Sequence, residues 1–362
     1  MKLDKNKVAV ALSGGVDSTT TAYLLKKRGY ELIGITMYLF DEYDKDGNNI
    51  KPKFIEDAKR AAKILDIPHY VVDYRDEFKS MVIDEFVNEY LSGRTPNPCV
   101  TCNRTIKFGK LLETAHSLGA YYIATGHYAK IWYDEKIKRY RIYRGKADMK
   151  DQAYVFYSLT QDQLKHIILP LGDFESKEEI RKIASEIDIK ISKKSDSTGI
   201  CFVPGEDYVS YLKSIKPDAI KEGNFVDIEG NVIGKHKGIV NYTIGQRRGL
   251  GINFGKPMFV INIDAEKNEV MLGDDKYTYS KGLIAKNVNF TLFDELKEDI
   301  RVEVKVCYWG WFLPATVSNL GDGKVKVIFD KKERAIAPGQ SVVFYNGNEV
   351  IGGGVIESVI KE

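Results

Sequence analysis

Along the first two hundred residues, short apolar runs alternate with stretches whose apolar positions recur every three or four. KVAVAL (Lys7 to Leu12), ELIGITMYLF (Glu31 to Phe40), PHYVVDY (Pro68 to Tyr74) and AYYIAT (Ala120 to Thr125) have the length and density of buried strands. Between and after them, Ser18 to Arg28, Phe54 to Leu65, Phe78 to Leu91, Gln161 to Ile167 and Ser176 to Ile187 carry helical spacing. Strands separated by helices of this length predict a parallel sheet wound on both faces, an α/β domain.

The texture changes after about Pro204. From Asn224 onward β-rich runs alternate with Gly, Asn and Asp turns: NFVDIEGNVIGKH, PMFVINIDAEKNEVMLGD, RVEVKVCYWGWFLPATVSNLGDGKVKVIFD and SVVFYNGNEVIGGGVI. This pattern predicts a small β-rich central domain followed by a C-terminal β-barrel. The expected domains are residues 1–205, 206–275 and 276–362.

Composition narrows the setting. At 362 residues the chain is long for one core, and 43% hydrophobic with 29% charged residues fits a soluble globular protein. No apolar run approaches membrane-span length, so no membrane partner is expected. The start, MKLDKNKVAVALSGG, lacks the apolar core and cleavage site of a signal peptide, so a cytoplasmic location is expected. Cys99, Cys102, Cys201 and Cys307 make no disulfide scaffold in a chain of this size; in a reducing compartment such thiols point to catalysis or metal. A net charge of +3 is too small to announce a nucleic-acid binder. Locally, though, Lys130 to Lys150 holds eight Lys or Arg against three Asp or Glu, interleaved with Trp132, Tyr133, Tyr140 and Tyr143. Basic and aromatic residues on a hairpin suit RNA, where cations meet phosphates and rings stack on bases; a solvated hairpin has the same composition.

The strongest chemical signal is ALSGGVDSTTTAYLL, with Ser13, Gly14, Gly15, Val16, Asp17 and Ser18 between a strand and a helix start. Glycines there let backbone N–H groups approach a phosphate, and the helix N-terminus adds positive dipole. The Walker A lysine is missing. A cradle without it suits a pyrophosphate leaving group, cleaved between the α- and β-phosphates. Asp17 is placed to hold Mg²⁺ or to shape the loop, with helix capping as the plainer role. TPNPCVTCNR sets two cysteines three apart in a short loop behind two prolines. That pair is half of a metal clip, a redox pair, or part of a sulfur site completed elsewhere. A second CxxC or a His pair for zinc is missing, and so is the thioredoxin placement.

The loop resembles the PP-loop ATP pyrophosphatases, whose motif is SGGxDS and whose fold is adenine nucleotide alpha-hydrolase-like. Together with GRTPNPCVTCNRTIKFG, ATGHYAK, KDQAYVFYSLTQDQL, KKSDSTGICFVPGEDY, NYTIGQRRGLGI and APGQSVVFY, the chain resembles the tRNA-specific 2-thiouridylases from Val8 to about Ile356. The resemblance implies ATP-dependent adenylation of the carbon-2 oxygen of the wobble uridine in tRNAs for Lys, Glu and Gln. Sulfur from a cysteine persulfide then yields 2-thiouridine, AMP and pyrophosphate. It implies Cys102 as nucleophile and Cys201 as persulfide carrier, joined in a transient disulfide. It implies ATP contacts at Ala11, Leu12, Ser13, Gly14, Gly15, Val16, Asp17, Ser18, Met37 and Gly126, with Mg²⁺. Target-base contacts fall on Asn97, Pro98 and Cys99, and further tRNA contacts on Lys150, Asp151, Gln152, Cys307 and Tyr308. The sulfur donor is a cysteine desulfurase or a persulfide relay protein.

The chain departs from the family pattern where an aspartate is common at Cys99 and an arginine at Cys307. A thiol is a poor acceptor but a good ligand, so Cys99, Cys102 and Cys201 together offer a possible [4Fe–4S] ligand set. His127 in TGHYA contacts the phosphates or orients its loop. The competing functions are a PP-loop ligase, a 4-thiouridine synthase and a non-catalytic RNA-binding protein. A ligase needs no paired cysteines, and the synthase carries an RNA-binding domain ahead of its loop. An RNA-binding module leaves SGGVDS and Cys201 unexplained.

Overall fold

A computed structural model describes residues 3–43, 48–194, 199–203, 205, 207–252 and 255–362. The chain divides into two compact units. The first comprises Met1–Val82, Cys99–Thr198 and Asn348–Ile351; the second comprises Ile83–Pro98, Gly199–Gly347 and Gly352–Glu362.

In the first unit, β1 (Asp4–Ala11), β2 (Glu31–Tyr38), β3 (His69–Asp73), β4 (Ala120–Ala124) and the short β7 (Ile167–Ile168) form one sheet in the order β3-β2-β1-β4-β7. Every pairing in it is parallel, as the alternation of strands and helices predicts. The central strand is buried on both faces, Val8 and Val10 fully, which is why it reads as a continuous apolar run. Helices α1 (Val16–Lys27) and α2 (Lys53–Ile64) cover it through Ala22, Leu25, Ala58 and Ala61. Residues Ala129–Asp134 (β5) and Arg139–Arg144 (β6) form the expected hairpin, whose turn puts Lys138 at a φ of 54°. Glu349 and Val350, which group with this unit, pair with Tyr143 and Ile142 of β6.

Three expectations need correction. Cys99 and Cys102 do not lie in a loop: α4 (Pro98–Cys102) begins at Pro98 and runs without a break through a π-helical stretch, Asn103–Lys110, into α5 (Leu111–Ser117). Proline at a first helical position loses no hydrogen bond and has its φ preset, so here it starts a helix. The stretch Gln161 to Ile167 is helical only over Gln161–Leu164, where Thr160 and Gln163 form a capping box, and its end is strand β7. The Gln163 side chain also donates to the carbonyls of Arg104 and Phe108, at 2.9 and 2.8 Å, within the π stretch. Finally, Phe78 to Leu91 is not one α-helix: a π-helical stretch, Lys79–Ile83, precedes α3 (Asp84–Leu91).

In the second unit, β8 (Gly223–Val226), β9 (Val232–His236), β10 (Phe259–Asp264) and β11 (Glu269–Gly273) make a four-stranded sheet, order β9-β8-β11-β10. Then β12 (Tyr279–Phe290), β13 (Ile300–Lys305), β14 (Leu313–Gly321), β15 (Lys324–Arg334), β16 (Ser341–Asn346) and β17 (Glu349–Ile360) form a ring, order β12-β15-β14-β13-β16-β17. It closes because β12 pairs antiparallel with both β15 and β17. Closure leaves no unpaired edge, and inward residues such as Val325, Val327 and Phe329 alternate with outward ones along β15. The polar residues scattered along β12 hid it among the apolar runs of the sequence. Helix α3 belongs to this unit, as does α7 (Tyr208–Ile215), which the periodicity did not reveal. The first unit also holds α6 (Lys177–Ile187), capped by Ser176 as its sequence suggests.

Candidate active site

The loop between β1 and α1 is set by two glycines with different jobs. Gly14 has a φ of 69°, and a Cβ there would lie 2.3 Å from the Asp57 carbonyl carbon and 2.5 Å from the Ala58 nitrogen. Both are backbone atoms of α2, so no side chain fits. Gly15 caps α1 in an extended conformation, and a Cβ on it would meet only Ser13 Oγ, at an ordinary 3.4 Å. The loop is knitted by Ser18 Oγ, which accepts from Ser13 N at 3.2 Å, lies 3.1 Å from Ser13 Oγ and donates to Gly15 O at 3.3 Å. The result is a rigid strand-to-helix turn with the α1 N-terminus at its end.

Asp17 turns out not to be a cap. It lies in the first turn of α1, with both carboxylate oxygens 2.7 Å from Lys177 Nζ and Oδ1 2.6 Å from the Tyr128 hydroxyl. Lys177 is buried at the start of α6, so the pair ties α1 to α6. Both oxygens are engaged by an ammonium group in this arrangement. That suits the part of shaping the loop. Gly126 packs against the same turn, since a Cβ on it would stand 2.7 Å from Asp17 Cβ. A second cation, Lys194, donates to Gly14 O at 2.7 Å and pairs with Asp57 at 2.8 Å. Lys177, Lys194 and Tyr128 were missed from the sequence because nothing local distinguishes them.

Met37 is half-buried near the end of β2, in register with Val72 of β3. His127 accepts or donates at Thr125 Oγ1, 2.7 Å away, and its ring packs edge-on against Phe156 at 5.1 Å. Burial, helped by the charge of Lys107, pushes its pKa well below the ordinary histidine range. A buried ring bonded to Thr125 suits the loop-orienting reading.

The thiols have contrasting settings. Within α4, Cys99 is exposed while Cys102, one turn on, is 7% exposed. The segment just before α4 is pinned within the second unit. Thr95 N donates to Pro338 O at 2.8 Å, and Gln340 Nε2 donates to the carbonyls of Thr95 and Pro96 at 3.0 and 3.1 Å. A Cβ on Gly339, whose φ is 92°, would come within 2.9 Å of Thr95 N and O. The APGQ motif thus holds the strand of chain that carries Asn97 and Pro98. Cys201 belongs to the second unit and is exposed, while its neighbour Phe202 is buried edge-on to Phe86 at 5.3 Å and tilted against Tyr211 at 5.5 Å. Burial, then the charge of Cys201, pushes the Tyr211 hydroxyl up to about 12. Part of the motif around Cys201, residues 195–198, 204 and 206, lies outside the described residues. Cys307 is half-buried and Tyr308 partly exposed; burial pushes the Cys307 thiol up, against the charge of Lys305. Among the described residues, no three His, Cys, Asp or Glu side chains are grouped as a metal would require.

On the hairpin, much of the positive charge is already spent. Arg141 makes three hydrogen bonds of 2.5 to 2.6 Å to Glu349 and Asp134, and Arg144 pairs with Asp148 and Asp151. Asp151 accepts from the Gly145 and Ala153 amides, and Gln152 is doubly bonded to the Tyr128 backbone. Lys150 is half-exposed; Lys136 and Lys138 are exposed, and Trp132, 49% exposed, stacks on Tyr143 at 4.1 Å.

Three family models match in order: a tRNA methyl transferase HUP domain over residues 6–205, a tRNA methyl transferase PRC-barrel domain over 210–274 and an aminomethyltransferase beta-barrel domain over 280–356. The chain is 51% identical to a tRNA-specific 2-thiouridylase of Clostridium botulinum, over 99% of this chain and all of that one. It is 49% identical to another in Clostridioides difficile, over 97% and 98%. A solved 4-thiouridine synthetase–RNA complex with bound ATP shares 19% identity over 59% of this chain and 51% of its own, with a TM-score of 0.35, too remote to bear on function.

Proposed function

The chain belongs to the tRNA-specific 2-thiouridylase family, and we propose that it carries out the ATP-dependent 2-thiolation of the wobble uridine in tRNAs for Lys, Glu and Gln. The observation that carries this reading is the end-to-end match, at about half identity, to proteins of that name. The names of the family models speak of methyl transfer, but a glycine-built strand-to-helix turn without a Walker lysine suits ATP cleaved to AMP and pyrophosphate. Cysteines on the chain suit sulfur.

Ser13 to Ser18 and Gly126 hold the nucleotide phosphates, with Ala11, Leu12 and Met37 around them. Backbone N–H groups at the α1 N-terminus take the negative charge, and Lys194 stands beside the loop to neutralise more of it. Mg²⁺ enters with the phosphates. The uridine carbon-2 oxygen attacks the α-phosphorus and pyrophosphate leaves, so that AMP becomes the leaving group at carbon 2. Cys201, exposed, receives a terminal sulfur from a cysteine desulfurase or relay protein. Cys102 then attacks the Cys201 sulfur. The S–S bond of the persulfide breaks, hydrosulfide departs with the bonding pair and displaces AMP at carbon 2, and a Cys102–Cys201 disulfide remains for an external reductant to reopen. Asn97, Pro98 and Cys99 face the target base. Lys150, the neighbouring Asp151 and Gln152, and Cys307 and Tyr308 meet the rest of the tRNA. A cytoplasmic location follows from these partners.

The test is incubation with ATP and an unmodified tRNA transcript, followed by assay of AMP, pyrophosphate and thiolated nucleoside. AMP and 2-thiouridine are expected in equal amounts under a persulfide supply. AMP without any thiolated base would return the chain to a PP-loop ligase. Iron and acid-labile sulfide in anaerobically purified protein, with activity that tracks them, would replace persulfide exchange by a [4Fe–4S] route through Cys99.

A further inference from the structure

The barrel loop that carries Cys307 and Tyr308 also presents two aromatic residues to which the proposed function gives no part. In the loop joining β13 to β14, Trp309 is 76% and Trp311 85% exposed. Of the three tryptophans in the chain these are the most exposed, and two solvated indoles two residues apart are costly unless something covers them. The base of the loop is ordered around a cation: Lys305 Nζ stands 5.8 Å from the Tyr308 ring centroid and 5.4 Å from that of Phe312.

Charge selects the partner. Ala315 of β14 pairs with Phe329 of β15, and β15 continues to Arg334, so Lys331 and Lys332 lie on β15 at the end of the barrel where this loop joins β14. Both are exposed. Two bare indole faces flanked by solvated ammonium groups complement flat bases on an anionic backbone. They do not complement a second copy of the same basic loop.

We propose that Trp309 and Trp311 form a stacking platform for unpaired bases of the RNA substrate, with Lys331 and Lys332 tracking the adjoining phosphates. This rests on the tRNA reading and extends it to residues and a binding mode of its own. Because the platform reads ring faces rather than base edges, it grips cognate and non-cognate tRNAs alike.

The test uses the full chain and an unmodified tRNA transcript. Trp309→Ala with Trp311→Ala should keep the wild-type melting temperature, since both indoles are largely in water, and weaken tRNA binding about ten-fold or more. Trp309→Phe with Trp311→Phe should retain most of the affinity, because a phenyl face still stacks. The slope of log affinity against log salt should be unchanged in both, while Lys331→Gln with Lys332→Gln should flatten it by about 1 to 2. Wild-type tRNA affinity in the alanine pair overturns the platform. So does loss of binding to phosphatidylserine-containing vesicles in that pair at unaltered tRNA affinity, which would make the face a lipid contact. If the wild type thiolates tRNA and the alanine pair binds as tightly, the platform alone fails; if the wild type neither binds nor thiolates tRNA, the enzymatic reading fails.

Discussion

The nucleotide loop and the cysteine segments solve the problem of precision in different ways. Residues 12–18 have a frame of their own, with Ser13, Gly15 and Ser18 bonded within one turn, to which Lys177 and Lys194 add ties from outside. The segment leading to Cys99 has local support at Arg94, held by Glu89, and leans on distant residues beyond it. It is held from far along the chain, by Gln340 and Pro338 on Thr95 and Pro96, and by Arg94, which donates to the carbonyls of Ile356 and Glu357 at 2.9 and 3.2 Å. Cys201 likewise depends on its neighbour Phe202, packed on Phe86. A phosphate site needs main-chain N–H groups in one fixed turn, which a short motif can encode. A thiol that must receive sulfur from outside and then deliver it needs exposure with a buried anchor beside it, and anchors come from tertiary packing.

The largest expected effect breaks the nucleotide loop. Gly14→Ala forces an L-residue to positive φ and into the α2 backbone, at a cost on the order of 3 kcal/mol or more, and should lower the melting temperature sharply. Gly15→Ala should melt as wild type, because its Cβ meets nothing closer than 3.4 Å, yet lose AMP formation by blocking close approach of phosphate. Full AMP formation in folded Gly15→Ala would remove the turn from the chemistry.

Next come the thiols. Cys102→Ser and Cys201→Ser should each reduce thiolation to background while leaving ATP-dependent adenylation of tRNA intact, since neither thiol is needed for that step. Cys99→Ser should keep much of the activity and Cys99→Asp should work well. An inactive Cys99→Ser that has also lost iron would install the cluster instead.

A middle-sized effect separates shape from chemistry at Asp17. Asp17→Ala leaves Lys177 buried without its carboxylate, and since Asp17 is itself a third exposed, a loss at the lower end, about 3 kcal/mol, is expected. The substitution is therefore no clean test of catalysis. Asp17→Asn combined with Lys177→Met should recover most of the stability in urea melts. If the double variant is as unstable as Asp17→Ala, the ion pair is not what ties α1 to α6.

The smallest effect loosens the remote anchor. Gln340→Leu removes two hydrogen bonds to the Thr95 and Pro96 carbonyls, worth about 1 to 2 kcal/mol together. It should raise the KM for tRNA more than it changes ATP cleavage. Equal loss of both would mean that the anchor serves the fold at large. On the hairpin, Arg141 is unsuitable for an RNA-binding test, because its loss leaves the Glu349 carboxylate, 6% exposed, without its cation. Lys136 and Lys138 are the cations free of that complication.

Much of this was legible in the chain. The parallel order of strands followed from apolar runs separated by helical spacing, the barrel from alternation between turns, and the phosphate turn from SGGVDS at a strand-to-helix joint. These are local patterns, and the forces behind them act within a few residues. What the local pattern misread was equally physical. Two prolines suggested a loop where Pro98 opens a helix, and the apolar end of Gln161 to Ile167 proved to be a strand because only pairing with β4 distinguishes the two. The pair of Asp17 with Lys177 spans 160 residues, the hold of Gln340 on Thr95 spans 245, and no spacing rule reaches that far. The sequence by itself determined which chemistries the chain can hold: a phosphate turn, three thiols and a basic hairpin. The tertiary structure decided which side chains are free to act, since burial and pairing are properties of the whole packed chain. It paired Asp17 with Lys177, buried His127, spent Arg141 and left Cys201, Trp309 and Trp311 facing solvent.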